Sequence, residues 1–366
     1  HPDVATSYSF VGGLHGNEGD FDRALEMNKK AMDILLNNLD QEHPSVALGY
    51  NNLGIAYLQK DEIKKANEYF QKALIINLKK LGPAHRETET CYSNIALAHH
   101  ALNNISEAIA NGGKARAIEE KRLAYMLSFT SERERLAYRQ TQSPYVLPTL
   151  LGNATDIAEA ILYNKGIVLS SILEDQLVAE ASADPRLKKL VVERRTASEI
   201  FTRLQLNIPR DNSPGVWKQY QANLQAAQSK AEALQKQLAR NVAGLGKARK
   251  SLSLTVVEVQ KSLPQGSALL EFIRYFHHEK EEFRYGAVIL TSGAVPTWVP
   301  LTLAENIDDL IIGYNDLLKS HEATDVKLEP VLRDLHDKVM TPLRAKLPKE
   351  IRTLIISPDG LLSFVS

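Results

Sequence analysis

At 366 residues the chain is too long for one compact core and is sized for two or three domains of roughly 100–200 residues each. Its 44 basic side chains balance 44 acidic ones, so overall charge points away from nucleic acid and anionic membrane and toward a protein or peptide partner. A single cysteine excludes an internal disulfide framework and fits a reducing, cytoplasmic setting; no apolar run approaches the roughly 18–20 residues of a membrane span, and no signal segment is present.

The chain opens on His1 rather than Met, as a fragment of a longer polypeptide would, and its first elements form a unit written three times. Laid over one another from residues 1, 43 and 85, the copies share a constant offset of 42 residues. Tyr8, Tyr50 and Tyr92 align, as do Gly12, Gly54 and Ala96, then Ala24, Ala66 and Ala108, then Ala31, Ala73 and Ala115. Each copy reads as two amphipathic helices around a short polar turn, with small residues where the helices must cross closely. The middle copy, Tyr50-x2-Leu53-Gly54-x2-Tyr57 followed by Ala66-x3-Phe70, resembles the tetratricopeptide (TPR) pattern. A period of 42 exceeds the usual ~34 and implies longer helices or a longer loop, similar to the repeats of kinesin light chains.

That resemblance implies a superhelix whose concave groove is lined by the first helix of each pair. Those helices carry Thr6, Ser9, Phe10 and Asn17, then Leu48, Asn51, Asn52, Ile55 and Gln59, then Thr90, Ser93, Asn94 and Leu97, none of them charged. A carboxamide donates and accepts at once, so Asn51, Asn52, Gln59, Ser93 and Asn94 are the candidate peptide-binding residues; solvated helix residues or bonds between repeats are the other reading. Cys91 shares a column with Ser7 and Gly49, which suits a structural thiol in tight packing. His99 and His100 lack partners at metal-ligand spacing and read as structural or surface residues.

From about residue 114 to 263 the repeat fades while helical composition persists, broken at "QSPYVLP" (142–148), Asp184-Pro185, "NIPRDNSPG" (207–215) and "LPQG" (263–266). Leu224, Ala227, Ala231, Leu234 and Leu238 at helical spacing predict an antiparallel helical hairpin. "GLGKAR" (244–249) lacks the spacing and the preceding strand of a phosphate loop and is rejected as one.

After Gly266 the period changes: "SALLEFIRYFHH", "FRYGAVILTS" and "AVPTWVPL" read as strands, "AENIDDLIIGYNDLLKS" and "LEPVLRDLHDKVMTPLRAKL" as helices. "RTLIISPDGLLSFVS" reads as a buried strand, a Pro-Asp-Gly turn and a second strand. In this order the pieces resemble the start of a CHAT domain, a caspase-like and separase-like peptidase family found beside TPR arrays. "YNKG" and "DPRLKKL" upstream are also similar to what precedes such domains. In that family a later His-Gly motif supplies the base and a strand-end Cys the nucleophile, and neither occurs here.

The chain alone therefore holds no plausible catalytic residues. His277 and His278 read as solvated hairpin residues, and Asp359 and Gly360 as turn residues. No cofactor or metal is implied. The expected fold is mainly α: a TPR superhelix (1–126) and a helical bundle (127–265), followed by an incomplete α/β caspase-like domain (266–366). Cutting such a sheet after "LLSFVS" would leave Leu354, Ile356, Leu362 and Phe364 without cover. The resemblance implies the interaction and regulatory region of a cytoplasmic, bacterial CHAT cysteine peptidase, whose partners would be a peptide in the groove and the remaining CHAT segment. A non-enzymatic TPR adaptor is the alternative.

Overall fold

Histidine opens each repeat because its ring nitrogen caps a helix. The Nδ1 atoms of His1, His43 and His85 accept from the backbone N–H of Asp3, Ser45 and Glu87 at 3.4, 3.1 and 3.2 Å. Pro2 and Pro44 then occupy the first helical position, where the missing N–H costs nothing. The computed structural model describes residues 1–140, 144–209, 213–245, 254–277, 280–319 and 324–364. They divide into two compact units, His1–Leu123 and Ala124–Ser366.

The first unit pairs α1 (Pro2–Asn17) with α2 (Phe21–Asn38), α3 (Pro44–Gln59) with α4 (Ile63–Lys80), and α5 (Arg86–Ala101) with α6 (Ile105–Leu127), whose last turn passes the unit boundary. The turn inside each pair has one geometry. Gly19, Asp61 and Asn103, again 42 apart, all sit at positive φ (80°, 60° and 58°). The next backbone N–H, on Asp20, Glu62 and Asn104, reaches back to the carbonyls of His15, Tyr57 and His99 at 2.9, 2.9 and 2.8 Å. This is the six-to-one closure of a left-handed helix end, which favours Gly, Asn and Asp.

Between the helices of a pair the small columns do the packing. Ala24, Ala31, Ala66 and Ala73 are at most 1% exposed, and a Cβ added to Gly54 would stand 2.4 Å from the Phe70 ring. Gly54→Val should therefore destabilise the chain by about 1–3 kcal/mol through overpacking, and by less in a Phe70→Leu background. Urea unfolding of the four proteins reads the coupling; equal losses in both backgrounds would show that the close approach is not the cause.

The second unit begins with α7 (Glu132–Gln140), α8 (Val146–Leu151), α9 (Ala154–Asn164), α10 (Ile167–Glu180), α11 (Pro185–Leu206), α12 (Pro214–Gly244) and α13 (Val256–Ser262). Asp184 caps α11 and Pro185 opens it. Leu187, Leu190 and Val191 at the start of α11 share a core with Leu238 and Val242 at the end of α12 and with Ala179 of α10, which is the antiparallel hairpin that the apolar spacing predicts. The guanidinium of Arg135 in α7 is fully buried and donates to the carbonyls of Leu127 and Thr130, to Ser171 Oγ at 2.6 Å and to Asp175 Oδ2 at 2.9 Å, tying α7 to α10. The "QSPYVLP" break contains the start of α8, while residues 142 and 143, like 246–249 of "GLGKAR" and His278, lie outside the described residues.

The sheet has the order β3-β2-β1-β4. β1 (Ser267–His277) runs antiparallel to β2 (Glu282–Thr291), β2 antiparallel to β3 (Thr297–Leu303), and β1 parallel to β4 (Thr353–Ser357). Strand alternation sorts two cores onto its two faces. Ala268, Leu270 and Phe272 of β1 and Tyr285, Ala287 and Ile289 of β2 pack against α14 (Ala304–Lys319) and α15 (Asp325–Arg344). Leu269, Ile273 and Tyr275 with Val288 and Leu290 pack against Ile157, Ala158 and Ile161 of α9 and Val256 of α13. Residue 266 therefore marks a change of secondary structure but does not separate two cores, because helices on its N-terminal side cover one face of the sheet.

The last segment departs from expectation. The second strand expected after Pro358-Asp359-Gly360 is a 3-10 helix, Gly360–Phe364. Gly360 sits at φ +58°, and a Cβ there would meet the Tyr285 hydroxyl at 2.5 Å. That hydroxyl accepts the Leu361 N–H at 3.0 Å and so turns the backbone away from the extended path. β4 is an edge strand rather than a buried one: Ile355 and Ile356 are exposed. Of the side chains expected to lack cover, Ile356 and Phe364 are exposed, whereas Leu354 and Leu362 pack into the α14/α15 core.

Candidate functional site

On the first helices of the repeats, the open columns are uncharged and partly apolar. Phe10 is 68% exposed, Leu48 50% and Ile55 38%. Isolated exposed apolar residues are ordinary, but these three lie on the columns the sequence assigns to one face. One column of cations lies on the second helices and is engaged there: Lys72 stands over the Tyr50 ring at 5.7 Å and Lys114 over Tyr92 at 5.2 Å, the same pair of columns in successive copies. In the first copy Lys30 turns to Glu26 instead, at 2.6 Å.

The five candidate polar residues part company. Asn51 is buried, 7% exposed, and its Oδ1 accepts the amide of Asn94 at 2.8 Å, so this pair bonds α3 to α5 rather than standing open to a ligand. Gln59 lies against Gly16, where a Cβ would meet its Oε1 at 2.7 Å, and thereby packs the first copy on the second. Asn52 and Ser93 are half-buried and make no hydrogen bond through their side chains among the described residues. The exposed Phe10, Leu48 and Ile55 were already among the first-helix residues assigned to the groove, but the polar residues drew the attention; the apolar three occupy different positions of the repeat, so no shared column marked them out.

Cys91 is buried, and Asn77 donates to its sulfur at 3.4 Å. Burial pushes its thiol up to about 11, so at neutral pH it is protonated and a poor nucleophile. Among the described residues no group of three or more His, Cys, Asp or Glu is placed to hold a metal, and no helix is long and apolar enough to cross a membrane.

In the second unit, charge gathers where the strands end. Lys165, at the junction of α9 and α10, sends its ammonium into the sheet, donating to Glu271 Oε2 at 2.8 Å and to the carbonyls of Phe272 and Ser357 at 3.0 and 2.5 Å. It thus holds β1 and β4 together. Asp359 accepts the Arg274 N–H at 2.8 Å, and Tyr285 donates to Asp308 at 2.8 Å. Burial, reinforced by that bond to Asp308, raises the Tyr285 phenol far above its ordinary value. It stays protonated, as a structural donor. Lys165, Asp359 and Gly360 thereby have partners that explain them as positioning residues of the sheet end.

With this geometry in place, the family match falls on the first unit, while the likenesses to solved structures extend over about two thirds of the chain. Residues 3–76 match the model of the tetratricopeptide repeat, and residues 266–366 lie outside the match. Among solved structures, the kinesin light chain TPR-like repeats of Podosopora anserina align at 20% identity, covering 68% of this chain and 98% of that one, with a TM-score of 0.33. BtubC (BKLC) from P. vanneervenii aligns at 16% identity over 68% of this chain and 83% of that one, with a TM-score of 0.30. No curated protein matches. Tetratricopeptide repeats are protein-interaction modules, and the match spans the first two helix pairs of the first unit, α1 to most of α4.

Two outcomes check this account of the polar groups. A dithionitrobenzoate assay should detect no fast-reacting thiol in the folded chain and one after denaturation; rapid reaction in the native state would contradict a buried, structural Cys91. Lys165→Ala should destabilise by about 2–3 kcal/mol because Glu271 is left largely buried and unpaired, and Lys165→Met with Glu271→Leu should recover part of that loss in urea unfolding.

Proposed function

We propose that the first unit receives a protein or peptide segment on the face formed by α1, α3 and α5, and that it serves as the recognition and regulatory part of a CHAT-family, caspase-like cysteine peptidase. The carrying observation is that Phe10, Leu48 and Ile55, on the first helices of successive repeats, stay exposed among uncharged neighbours assigned to one face. A groove for an acidic tail would present Lys or Arg, so the fitting segment is apolar and close to neutral, with Asn52 positioned for its backbone. The caspase-like part of the reading is supported by sequence order: the "LLEFIRY" and "FRYGAVIL" strands, the helix containing "IDDL", and "LIISPDGLLSFV". It places the peptidase's His and Cys outside these residues, since the only cysteine is the buried Cys91. A non-enzymatic adaptor is the second reading, favoured by the structural partners of Asp359 and Gly360.

Peptides selected on the 366-residue chain by display test the groove. Apolar, near-neutral sequences are expected; Phe10→Ala and Ile55→Ala should weaken them, and Asn52→Ala should cost about 0.5–1.5 kcal/mol of binding with unchanged melting. Asn94→Ala should instead lower the melting temperature, because Asn51 loses its partner. Selected peptides that bind all variants equally would move the interaction surface elsewhere. The chain alone should cleave none of them, and cleavage abolished by Cys91→Ala would overturn the placement of the nucleophile.

A further inference from the structure

At the end of β1 and β2, wholly within the second unit, a cleft of about 620 Å³ opens between the strands, α7, α8 and the start of α10. Its size is that of a small-ligand or short-peptide site. α10 begins on its wall: the N-cap is Gly166, at φ +72°, and no side chain caps the helix. The N–H groups of Gly166, Ile167 and Val168, all on the cleft, are the orphan donors of a helix start, at the positive end of its dipole. A helix start alone is no site, but two further groups on the same wall are unfinished. Asn164 is 93% buried, being 7% exposed; it uses its amide nitrogen on the Ala160 carbonyl at 2.9 Å and leaves Oδ1 buried with no hydrogen bond. Arg139 has a buried Nη1 that likewise makes none.

The other cations of the cleft are committed. Lys165 spends three donors on the sheet, and Arg274 stacks on Phe283 at 4.3 Å and reaches Asp308 at 3.5 Å. The vacant polar groups thus comprise cationic and amide donors for one anion and, beside them, one buried acceptor that wants an N–H. Tyr275, Phe276 and Phe283 provide an aromatic wall. Glu132 and Asp359 on the same rim disfavour a dianion, and a phosphoryl group brings no N–H for Asn164. A single carboxylate, an adjacent amide N–H and an apolar side chain are what the end of a polypeptide offers. We infer that this cleft binds the C-terminal end of a polypeptide, its carboxylate on Arg139 and the α10 amides, its last N–H on Asn164, and its terminal side chain against Phe283.

The probe is acetyl-Ala-Ala-Leu-Phe, titrated calorimetrically into the 366-residue chain as the free acid and as the C-terminal amide. The acid should bind and the amide should bind roughly tenfold or more weakly, as expected when one charge-assisted bond is lost. Arg139→Gln should weaken the acid by a similar factor and leave the amide unchanged, while Phe283→Ala, at an exposed site, should weaken both alike. The acid–amide comparison on the unaltered chain stands even if a variant folds poorly. Equal binding of acid and amide, no binding of either, tighter binding of an internal-glutamate peptide amide or of phenyl phosphate, or an acid affinity indifferent to Arg139→Gln would each overturn the assignment.

Discussion

Burial of β1 and β2 on both faces is the constraint on which the second unit rests. A strand pair with apolar side chains pointing both ways exposes a hydrophobic layer until each face is covered, and neither α14 and α15 nor α9 and α13 can cover both. The chain meets this by sending one helical layer ahead of the strands and another after them. Glu271, the one charged side chain among the residues β1 directs toward α9, is then forced into partial burial, and Lys165 is the group that makes this tolerable. The same ammonium takes up two carbonyls where β1 and β4 lie side by side, so the parallel pairing and the helix cover are set by one contact.

The repeat was legible because its constraints are local and recur. A small residue is required wherever two helices cross closely, and the requirement reappears every 42 residues as Gly12, Gly54 and Ala96. Two further columns were equally regular yet had no meaning until the backbone was seen: His1, His43 and His85, which cap, and Gly19, Asp61 and Asn103, which take a left-handed turn. Three different residue types share one conformation in the second set, so identity conceals what φ reveals.

Less was legible where distant residues decide. "GLLSF" carries good strand formers, but the Tyr285 hydroxyl, some 76 residues earlier, captures the Leu361 N–H and bends the segment into a 3-10 helix. Asn51 and Asn52 are neighbours of one residue type, and a helix turns them by roughly 100°; one faces α5 and bonds Asn94, the other remains half-open. Sequence could nominate both and could not tell the bond from the binding surface. The helices at 154–164 and 256–262 carry the apolar residues of a bundle, and nothing in their pattern says that their partner is a sheet.

The reach of Lys165 also bears on how the protein is made. It contacts Glu271, 106 residues further along the chain, and Ile157 and Ile161 of α9 wait equally long for their partners on β1 and β2. At ribosomal rates of roughly 5–20 residues per second, that interval is on the order of ten seconds. During it the repeats, whose partners lie within one or two helices, can close on themselves as they emerge, while α9 travels with its apolar face uncovered. The nascent chain is thus most vulnerable to chaperones and misassembly after its solenoid has folded and before its first strand has been synthesised.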